Sequence, residues 1–238
     1  MQIIDSTGWG VRSARLTFKR PGSAAVVTLF PMIHVGEAGF YERVYRDAAG
    51  HDIVLLEGIN SPIGARMVRS YSWLGKRNRL GLVVQPAFPK DGGKTRVILS
   101  DLSADEFAAA WAKVPLWIRL MVAGLSDIIG LRRRWFATRR SLAKGMTLDD
   151  KTSVDEDLNW DPATALFTRA IIDARDERLI EHLSEQIAAA PDSGRSIAVM
   201  YGATHMRAVV RALARDGFHC VDAEWLLVFS LDMPGDAE

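Results

Sequence analysis

Two histidines each stand a few residues past the end of an apolar run that is typical of a β-strand. His34 follows the run at 25–30, and His205 follows the run at 197–201. A third apolar run ends directly in Glu57. Imidazole and carboxylate groups bind divalent metals and transfer protons near neutral pH. These three residues are therefore candidates for a metal site or for acid–base catalysis.

Strand ends are the feature expected to bring these side chains together. In a parallel α/β sheet, the carboxyl ends of the strands lie along one edge of the sheet, and ligands bind there. We therefore expect His34, Glu57 and His205 to share one site, although they are far apart in the sequence. Asp101 follows another strand-like run in a similar way. An Asp before Leu-Ser is also typical of a turn into a helix, so we rank Asp101 below the other three.

Each candidate also has a purely structural interpretation. Gly202 lets the backbone turn sharply before His205 and leaves room for a ligand, and the partly positive start of the following helix favours a neutral imidazole. The alternative is a histidine that only satisfies a turn, because short motifs of this kind often arise by chance. For His34 the alternative is a loop histidine packed under Phe40. For Glu57 it is an ion pair with a distant arginine.

An arginine and an aspartate lie on the apolar side of a long predicted helix. Arg175 and Asp176 are three and four positions after Ile172. They are also four and three positions before Leu179, so they lie on the apolar stripe of the helix. Charged groups on an inward face need partners. We expect the arginine to hold a substrate carboxylate or to orient the strand-end glutamate, or else both residues to belong to a buried ion-pair network.

Hydrophobic periodicity and turn residues predict strands and helices in alternation. The predicted strands cover residues 15–20, 24–30, 52–57, 82–88, 95–100, 196–201 and 218–230. The predicted helices cover residues 37–49, 63–78, 103–113, 115–130, 163–189 and 205–216. This order indicates an α/β fold with a mixed, mainly parallel sheet flanked by helices. We expect residues 1–238 to form a single domain with a helical insertion at roughly 102–165.

Composition places the chain among ordinary globular proteins. Its 238 residues and 48% hydrophobic content are sufficient for a large core. The formal net charge is +1, and no motif indicates binding to nucleic acid. The single cysteine, Cys220, excludes an intramolecular disulfide. No signal-peptide pattern and no run of about 18 uncharged apolar residues is present, so the expected location is the cytoplasm.

Residues 116–131 form the most apolar predicted helix, and arginines at 132–134 and 139–140 follow it closely. Such a helix could lie in the core, cover the site as a lid, form a homodimer surface, or rest on a membrane surface through residues 115–140. Helices that are apolar on most of their circumference are usually buried. This pattern therefore favours a core helix followed by a solvated basic turn.

Four short motifs occur in a fixed order from about residue 24 to residue 230. They are Pro-Met-Ile-His34-Val-Gly, Leu-Leu-Glu57-Gly, Ala-Arg175-Asp176-Glu-Arg-Leu and Tyr-Gly202-Ala-Thr-His205-Met. This ordered set resembles the TraB/PrgY/GumN family. The wider group includes the Tiki proteases, the erythromycin esterases and the haem-binding ChaN proteins. The resemblance implies a mixed α/β sheet with flanking helices, in agreement with the fold expected from the periodicity.

The resemblance also implies which residues form the site. In that family, two Gly-x-x-His motifs, an intervening glutamate and an Arg-Asp or Arg-Asn pair line a common pocket. Carried over to this chain, the catalytic residues are His34, Glu57, His205, Arg175 and Asp176, and Gly202 contacts the ligand. This chain departs from the pattern at Pro31, where the family usually has glycine. Proline fixes φ and removes a donor, so the first loop is expected to wrap a ligand less closely.

The activity that the resemblance implies is that of a hydrolase acting on a peptide or a small ester. In one version, His34, Glu57 and His205 hold a divalent metal such as Mn, Co or Zn, and the metal activates water. In the other version there is no metal, and a histidine takes a proton from water directly. The alternative is a non-catalytic regulatory protein that binds a peptide, a metal or haem, with the membrane surface as a further partner of residues 115–140.

Overall fold

The fold is described from a computed structural model of the chain. The residues that it describes are 1–58, 79–89, 94–144, 146–149, 168, 172–189 and 194–232. The predicted helix at 63–78 lies outside these residues, as does most of the first third of the predicted helix at 163–189.

The described residues form strands and helices in close to the predicted order. The strands are β1 (Gln2–Ser6), β2 (Gly10–Lys19), β3 (Val26–Met32), β4 (Val35–Gly36), β5 (Ile53–Leu56), β6 (Val83–Val84), β7 (Arg96–Leu99), β8 (Leu148–Asp149), β9 (Ser196–Gly202) and β10 (His219–Ser230). The helices are α1 (Ala38–Ala48), α2 (Ala104–Ala112), α3 (Leu116–Phe136), α4 (Arg139–Ala143), α5 (Ala174–Ala188) and α6 (Met206–Arg215). A short 3-10 helix at Ala203–His205 leads from β9 into α6.

One mixed sheet contains eight of these strands in the described part of the chain. Strands β7, β5, β9 and β3 are parallel neighbours in that order. Strand β3 then pairs antiparallel with β2, which also pairs antiparallel with β1 and β10. Strand β8 pairs with β1, and β4 and β6 form a separate two-stranded ladder. The predicted α/β fold with a mixed sheet and flanking helices is confirmed.

Strands β5 and β9 are continuous apolar runs because both faces of the sheet are covered there, whereas the edge strand β7 is largely exposed. Strand β9 is buried from Ile197 to Tyr201, and β5 is buried from Ile53 to Leu55. Helix α5 turns Leu179 toward the same core, whereas its other face is polar. The hairpin between β2 and β3 turns at Gly22, whose φ of +75° suits glycine.

Strand β1 and the first half of β2 were not predicted from the sequence. The segment of β1 is short and only partly apolar, so local propensity alone is weak there. Its conformation follows from pairing with β2, in which Ile4 faces Ser13 and Asp5 faces Arg12.

The predicted strand at 82–88 is shortened to β6, because Pro86 lacks the N–H that a longer ladder needs.

Helix α3 differs most from its prediction. It continues to Phe136, six residues beyond the predicted end, and the arginines at 132–134 remain helical because they are good helix formers. Its inner side packs Ile118 against Phe107 and Trp111 of α2. Its outer side is exposed, so the prediction of a buried core helix is wrong for this face.

The predicted helical insertion corresponds to helices α2, α3 and α4 in residues 104–143, and residues 150–165 lie outside the described part. Helix α2 opens with the predicted capping box, in which Ser103 and Glu106 bond to each other's backbone N–H groups. None of the helices in the described ranges combines the length and the hydropathy required to cross a bilayer. The single-domain arrangement stays a prediction.

A buried arginine joins α4 to the sheet. The Nε of Arg139 donates to the Leu80 carbonyl oxygen at 2.9 Å. Its Nη1 donates to Glu37 at 2.7 Å and to the Ser230 carbonyl oxygen at 2.8 Å. Because the Arg139 side chain is only 3% exposed, these contacts compensate for the loss of its hydration and anchor the helical segment against the end of β10.

Candidate functional site

Three neighbouring parallel strands bring polar residues to one edge of the sheet. Strand β5 is followed by Glu57, β7 by Ser100 and Asp101, and β9 ends at Gly202. The ladder continues beyond the strands, since the Glu57 N–H donates to the Met200 carbonyl oxygen at 3.1 Å. The strand-end convergence expected from the sequence therefore occurs for these residues.

Arg175 occupies the centre of this edge. Its Nε donates to Asp101 Oδ1 at 2.9 Å, and its Nη2 donates to Asp101 Oδ2 at 2.8 Å. The same Nη2 donates to Glu57 Oε1 at 2.6 Å, and Nη1 lies 3.2 Å from Nε2 of His205. One guanidinium thus joins two carboxylates and an imidazole that come from three different strand ends.

Glu57 is held on both of its oxygens. While Oε1 accepts from Arg175, Oε2 accepts the backbone N–H of Gly202 at 2.6 Å. A Cβ atom at position 202 would stand 3.1 Å from Oε2 and 3.4 Å from Cδ2 of His205. The φ of −51° at Gly202 is open to any residue, so backbone conformation does not require a glycine here. The requirement comes from the lack of space for a side chain.

His205 is held on both ring nitrogens. Its Nδ1 lies 2.6 Å from Oδ1 of Asp176, and its Nε2 faces Nη1 of Arg175. An arginine can only donate, so Nε2 is the acceptor and Nδ1 carries the proton that it donates to Asp176. We therefore assign a neutral imidazole protonated on Nδ1, linked to the carboxylate on one side and to the guanidinium on the other.

Tyr201 is fully buried beneath this cluster. Its ring meets that of His205 edge-on with centroids 4.9 Å apart, and the Arg175 guanidinium carbon lies 5.3 Å from its centroid. Burial raises the pKa of Tyr201 well above its ordinary value, so the phenol stays protonated. The aromatic ring thus helps to fix the positions of the imidazole and the guanidinium by packing against both of them.

The charges of the cluster shift one another's protonation equilibria. Burial alone would raise the pKa of Asp101, but the hydrogen bonds and the charge of Arg175 bring it below the ordinary value. For Arg175, burial has the opposite effect and would lower the pKa, but Asp101 and Glu57 raise it above the ordinary value. Burial raises the pKa of Asp176, although the hydrogen bond from His205 opposes this shift. Arg175 is therefore a permanent positive charge at the centre of the site.

His34 lies beside this cluster, in the loop after β3. Strand β3 pairs with β9 so that Met32 faces Gly202, which sets the two following loops side by side. Burial lowers the pKa of His34 below its ordinary value, and the negative charge of Glu57 opposes this shift. The positive charge of Arg175 lowers the pKa of His34 further, and Arg133 on the inner side of α3 acts in the same direction. His34 is therefore close enough to the cluster to respond to its charges, and it is neutral at pH 7.

The donor set does not fit a metal in this arrangement. Among the residues that the structure describes, no group of three or more His, Cys, Asp or Glu side chains is placed to hold a metal ion. Both oxygens of Glu57 and both ring nitrogens of His205 already make hydrogen bonds. The centre between them is occupied by the guanidinium of Arg175, which repels a second cation. The metal ligation by His34, Glu57 and His205 therefore has no support from this geometry.

Two residues of the site are less apparent in the sequence. Asp101 ranks below the other strand-end candidates, yet it makes the most extensive contact with Arg175. Its position after a strand, which it shares with Glu57, is the available signal. Tyr201 is the last residue of an apolar strand run, and no pattern in the sequence distinguishes it from an ordinary core aromatic.

Neither a scan of protein-family models nor searches of curated proteins and of solved structures found a match to this chain. The resemblance to the TraB/PrgY/GumN family therefore stays a prediction based on the four motifs.

Proposed function

We propose that the chain is a hydrolase of the peptidase or esterase type that activates water with a histidine and without a metal. The observation that carries this proposal is the single guanidinium of Arg175 bound to Glu57, Asp101 and His205 beside the neutral His34. It combines a group able to accept a proton with a fixed positive charge in a partly buried site. Those are the two requirements for adding water to a carbonyl group.

His34 is the base in this proposal. Its lowered pKa keeps the imidazole neutral at pH 7, which is the form that accepts a proton from water. The negative charge of Glu57 nearby stabilises the imidazolium that then forms. His205 is less suited to this role because Nε2, the ring nitrogen without a proton, already accepts a hydrogen bond from Arg175.

Arg175 stabilises the negative charge that develops on the substrate. A guanidinium has five N–H groups, and the second N–H of Nη1 takes part in none of the four contacts described above. Glu57, Asp101 and the Asp176–His205 pair fix its orientation. A donor held in advance is more effective than one that must reorient during the reaction.

The proposed reaction balances with these groups alone. Water attacks the carbonyl carbon, a C–O bond forms, and His34 takes the proton while the oxyanion faces Arg175. The tetrahedral intermediate then collapses, the bond to the alcohol or amine breaks, and His34 returns the proton to the leaving group. The products are a carboxylic acid and an alcohol or amine.

A binding protein without catalysis is the second candidate. It is favoured by one observation: Glu57 and His205 are already saturated by contacts within the protein. A saturated cluster can shape a pocket for a peptide without taking part in chemistry. In that case the same residues matter for affinity and not for turnover.

The test uses the full chain and a panel of p-nitrophenyl esters and short fluorogenic peptides. We expect hydrolysis by the wild type and a loss of roughly 10²–10⁴-fold in kcat/KM for His34→Ala. The matched control is His219→Ala, which removes an exposed histidine at the start of β10 and should leave kcat/KM unchanged. Metal analysis of the same preparations checks whether activity follows any bound metal.

Two outcomes contradict this proposal, the first its choice of base and the second the hydrolase itself. Unchanged activity in His34→Ala removes His34 as the base. Absence of hydrolysis across the panel, together with saturable binding of a peptide that His34→Ala weakens, supports the binding protein.

A further inference from the structure

The outward face of α3 is an apolar surface of unusual extent. Nine of the large apolar side chains that the structure describes on this helix are between 42% and 75% exposed. They are Leu116, Trp117, Leu120, Met121, Leu125, Ile128, Leu131, Trp135 and Phe136. Large side chains of this kind present roughly 150–250 Å² each when fully exposed, so on the order of 1,000 Å² of apolar surface faces water. The largest patch on a typical monomer is roughly 300–600 Å².

This area is sufficient for a stable protein–protein interface. Such interfaces bury about 800 Å² on each partner. A 21-residue helix is about 30 Å long, which is the length over which the exposed side chains are distributed. The surface therefore has the size that a second protein chain would cover.

The spacing along this face is that of a helix packed against another helix. We name as the α3 seam the six positions that recur at alternating steps of four and three: Trp117, Met121, Gly124, Ile128, Leu131 and Trp135. Steps of four and three place side chains in one narrow row, the pattern of the a and d positions of a coiled coil. Within the seam, Gly124 is exposed and has no atom within 4 Å of the place where a Cβ would stand.

The α3 seam has its midpoint at position 126, and the residue types on its two sides suit a second copy of the same helix. Trp117 and Trp135 are equally far from the midpoint, as are Met121 and Leu131. Gly124 and Ile128 form the innermost such pair. In an antiparallel pair of identical helices related by a two-fold axis at this midpoint, each residue faces its counterpart from the other copy.

We propose that α3 pairs with α3 of a second copy of this chain in an antiparallel arrangement. At the centre, Ile128 of each copy inserts over Gly124 of the other, so that a large side chain meets an empty position. Next to them, Met121 packs on Leu131 of the partner. At the two ends, Trp117 stacks on Trp135 of the partner. Arg132 is exposed near the carboxyl end of α3, and the antiparallel direction keeps the two copies of this charge apart.

A membrane surface explains these features less well. The net charge of +1 provides no general attraction to anionic lipids. A surface-bound helix keeps its polar face in water, whereas the side of α3 away from the seam is covered by the protein, where Val122 packs against the apolar cluster of α2. A bilayer also has no requirement for a glycine facing an isoleucine.

The first test is the oligomeric state of the full chain, measured by sedimentation velocity at micromolar concentration. We expect a dimer for the wild type. Ile128→Glu places a charge at the centre of the interface and is expected to raise the dimer dissociation constant by at least about tenfold. Since Ile128 is 64% exposed, this change should leave the fold of the monomer intact, as judged by the circular dichroism spectrum. Trp9→Glu, at a residue 80% exposed outside α3, is the control and should remain a dimer.

The second test determines the direction of the helices. In a Cys220→Ala background, Met121→Cys and Leu131→Cys chains are purified separately and then mixed under mild oxidation. We expect a disulfide-linked dimer only in the mixture, because two copies of position 121 stand about 15 Å apart in the antiparallel pair. A disulfide requires Cα atoms within about 7 Å.

Each other outcome overturns the proposal. A monomeric wild type excludes the pair, and a dimer that Ile128→Glu leaves intact places the interface elsewhere. Strong cross-linking of Met121→Cys with itself indicates parallel helices. A monomer that co-sediments with phosphatidylglycerol vesicles, and loses this binding in Ile128→Glu, identifies the membrane as the partner.

Discussion

Arg175 binds Asp101 through two N–H groups at once, from Nε at 2.9 Å and from Nη2 at 2.8 Å. The side chain of Asp101 is only 1% exposed and that of Arg175 is 9% exposed. The planar fork of a guanidinium matches the two oxygens of a carboxylate, which a lysine cannot reproduce. This buried pair fixes the direction of the guanidinium, so the other contacts of the candidate site depend on it.

Replacing Arg175 is expected to destabilise the protein strongly. Arg175→Met leaves the buried carboxylate of Asp101 and the partly buried carboxylate of Glu57 without their cation, and we expect the free energy of unfolding to fall by about 3–5 kcal/mol. Urea denaturation at pH 7 measures the change. Arg178→Met is the control on the same helix, because Arg178 pairs with Glu106 at the surface and should contribute less than about 1 kcal/mol. Equal losses in the two variants would contradict the central role of Arg175.

Gly202→Ala is expected to disturb the site only by the steric effect of the added Cβ atom. The new Cβ would stand 3.1 Å from Oε2 of Glu57, so the carboxylate must move by a few tenths of an ångström and weaken its bond to the backbone of residue 202. We expect kcat/KM to fall by roughly 10–100-fold, because small displacements of catalytic groups are costly. Gly39→Ala in α1 is the matched control, since nothing lies within 4 Å of its Cβ position. The interpretation fails if the Gly202 variant is as active as the control variant.

The lowered pKa of His34 predicts a dependence of stability on pH. Its pKa in the folded state is below the ordinary value of 6.5, so the unfolded chain binds more protons in the interval between them. The contribution of His34 is therefore complete above pH 6.5 and is lost as the pH falls through the folded-state pKa. Denaturation curves between pH 7.5 and about pH 5 should show a steeper loss in the wild type than in His34→Gln. Identical slopes would exclude a buried, neutral His34.

Catalysis should follow the same group. If His34 is the base, kcat/KM is constant near pH 7 and falls below the lowered pKa of His34, where the imidazole becomes protonated. The acid limb of the pH–rate profile therefore lies below pH 6.5. A limb centred above that value would assign the base to another group.

The buried anchor of α4 is expected to contribute to global stability. Arg139→Met removes the contacts to Leu80, Glu37 and Ser230, and we expect a loss of about 2–4 kcal/mol because these acceptors lose a charged donor. The neighbouring Arg140 is exposed, and Arg140→Met should change the free energy of unfolding by no more than about 0.5 kcal/mol. Thermal unfolding of the two variants makes the comparison. A similar melting temperature for both would show that the anchor is not needed.

Much of the fold and part of the site could be predicted because they depend on local patterns. Apolar runs of four to seven residues indicated the strands, and the positions at or shortly after their ends identified Glu57 and His205. Helical spacing placed Arg175 on an inward face, where it is indeed buried. The exposure of α3 could not be predicted, because an apolar helix looks the same in sequence whether its outer face meets the core or the solvent.

By itself, the sequence determined which residues stand at strand ends and which helical residues point inward, because both follow from the period of the backbone. Only the tertiary structure decided which of them meet. Arg175 and Asp101 are 74 positions apart, and Gly202 and Glu57 are 145 positions apart. Contacts over such distances depend on the order of strands in the sheet and on the packing of α5 across their ends, which no local pattern encodes. The same packing of α5 engaged both ring nitrogens of His205.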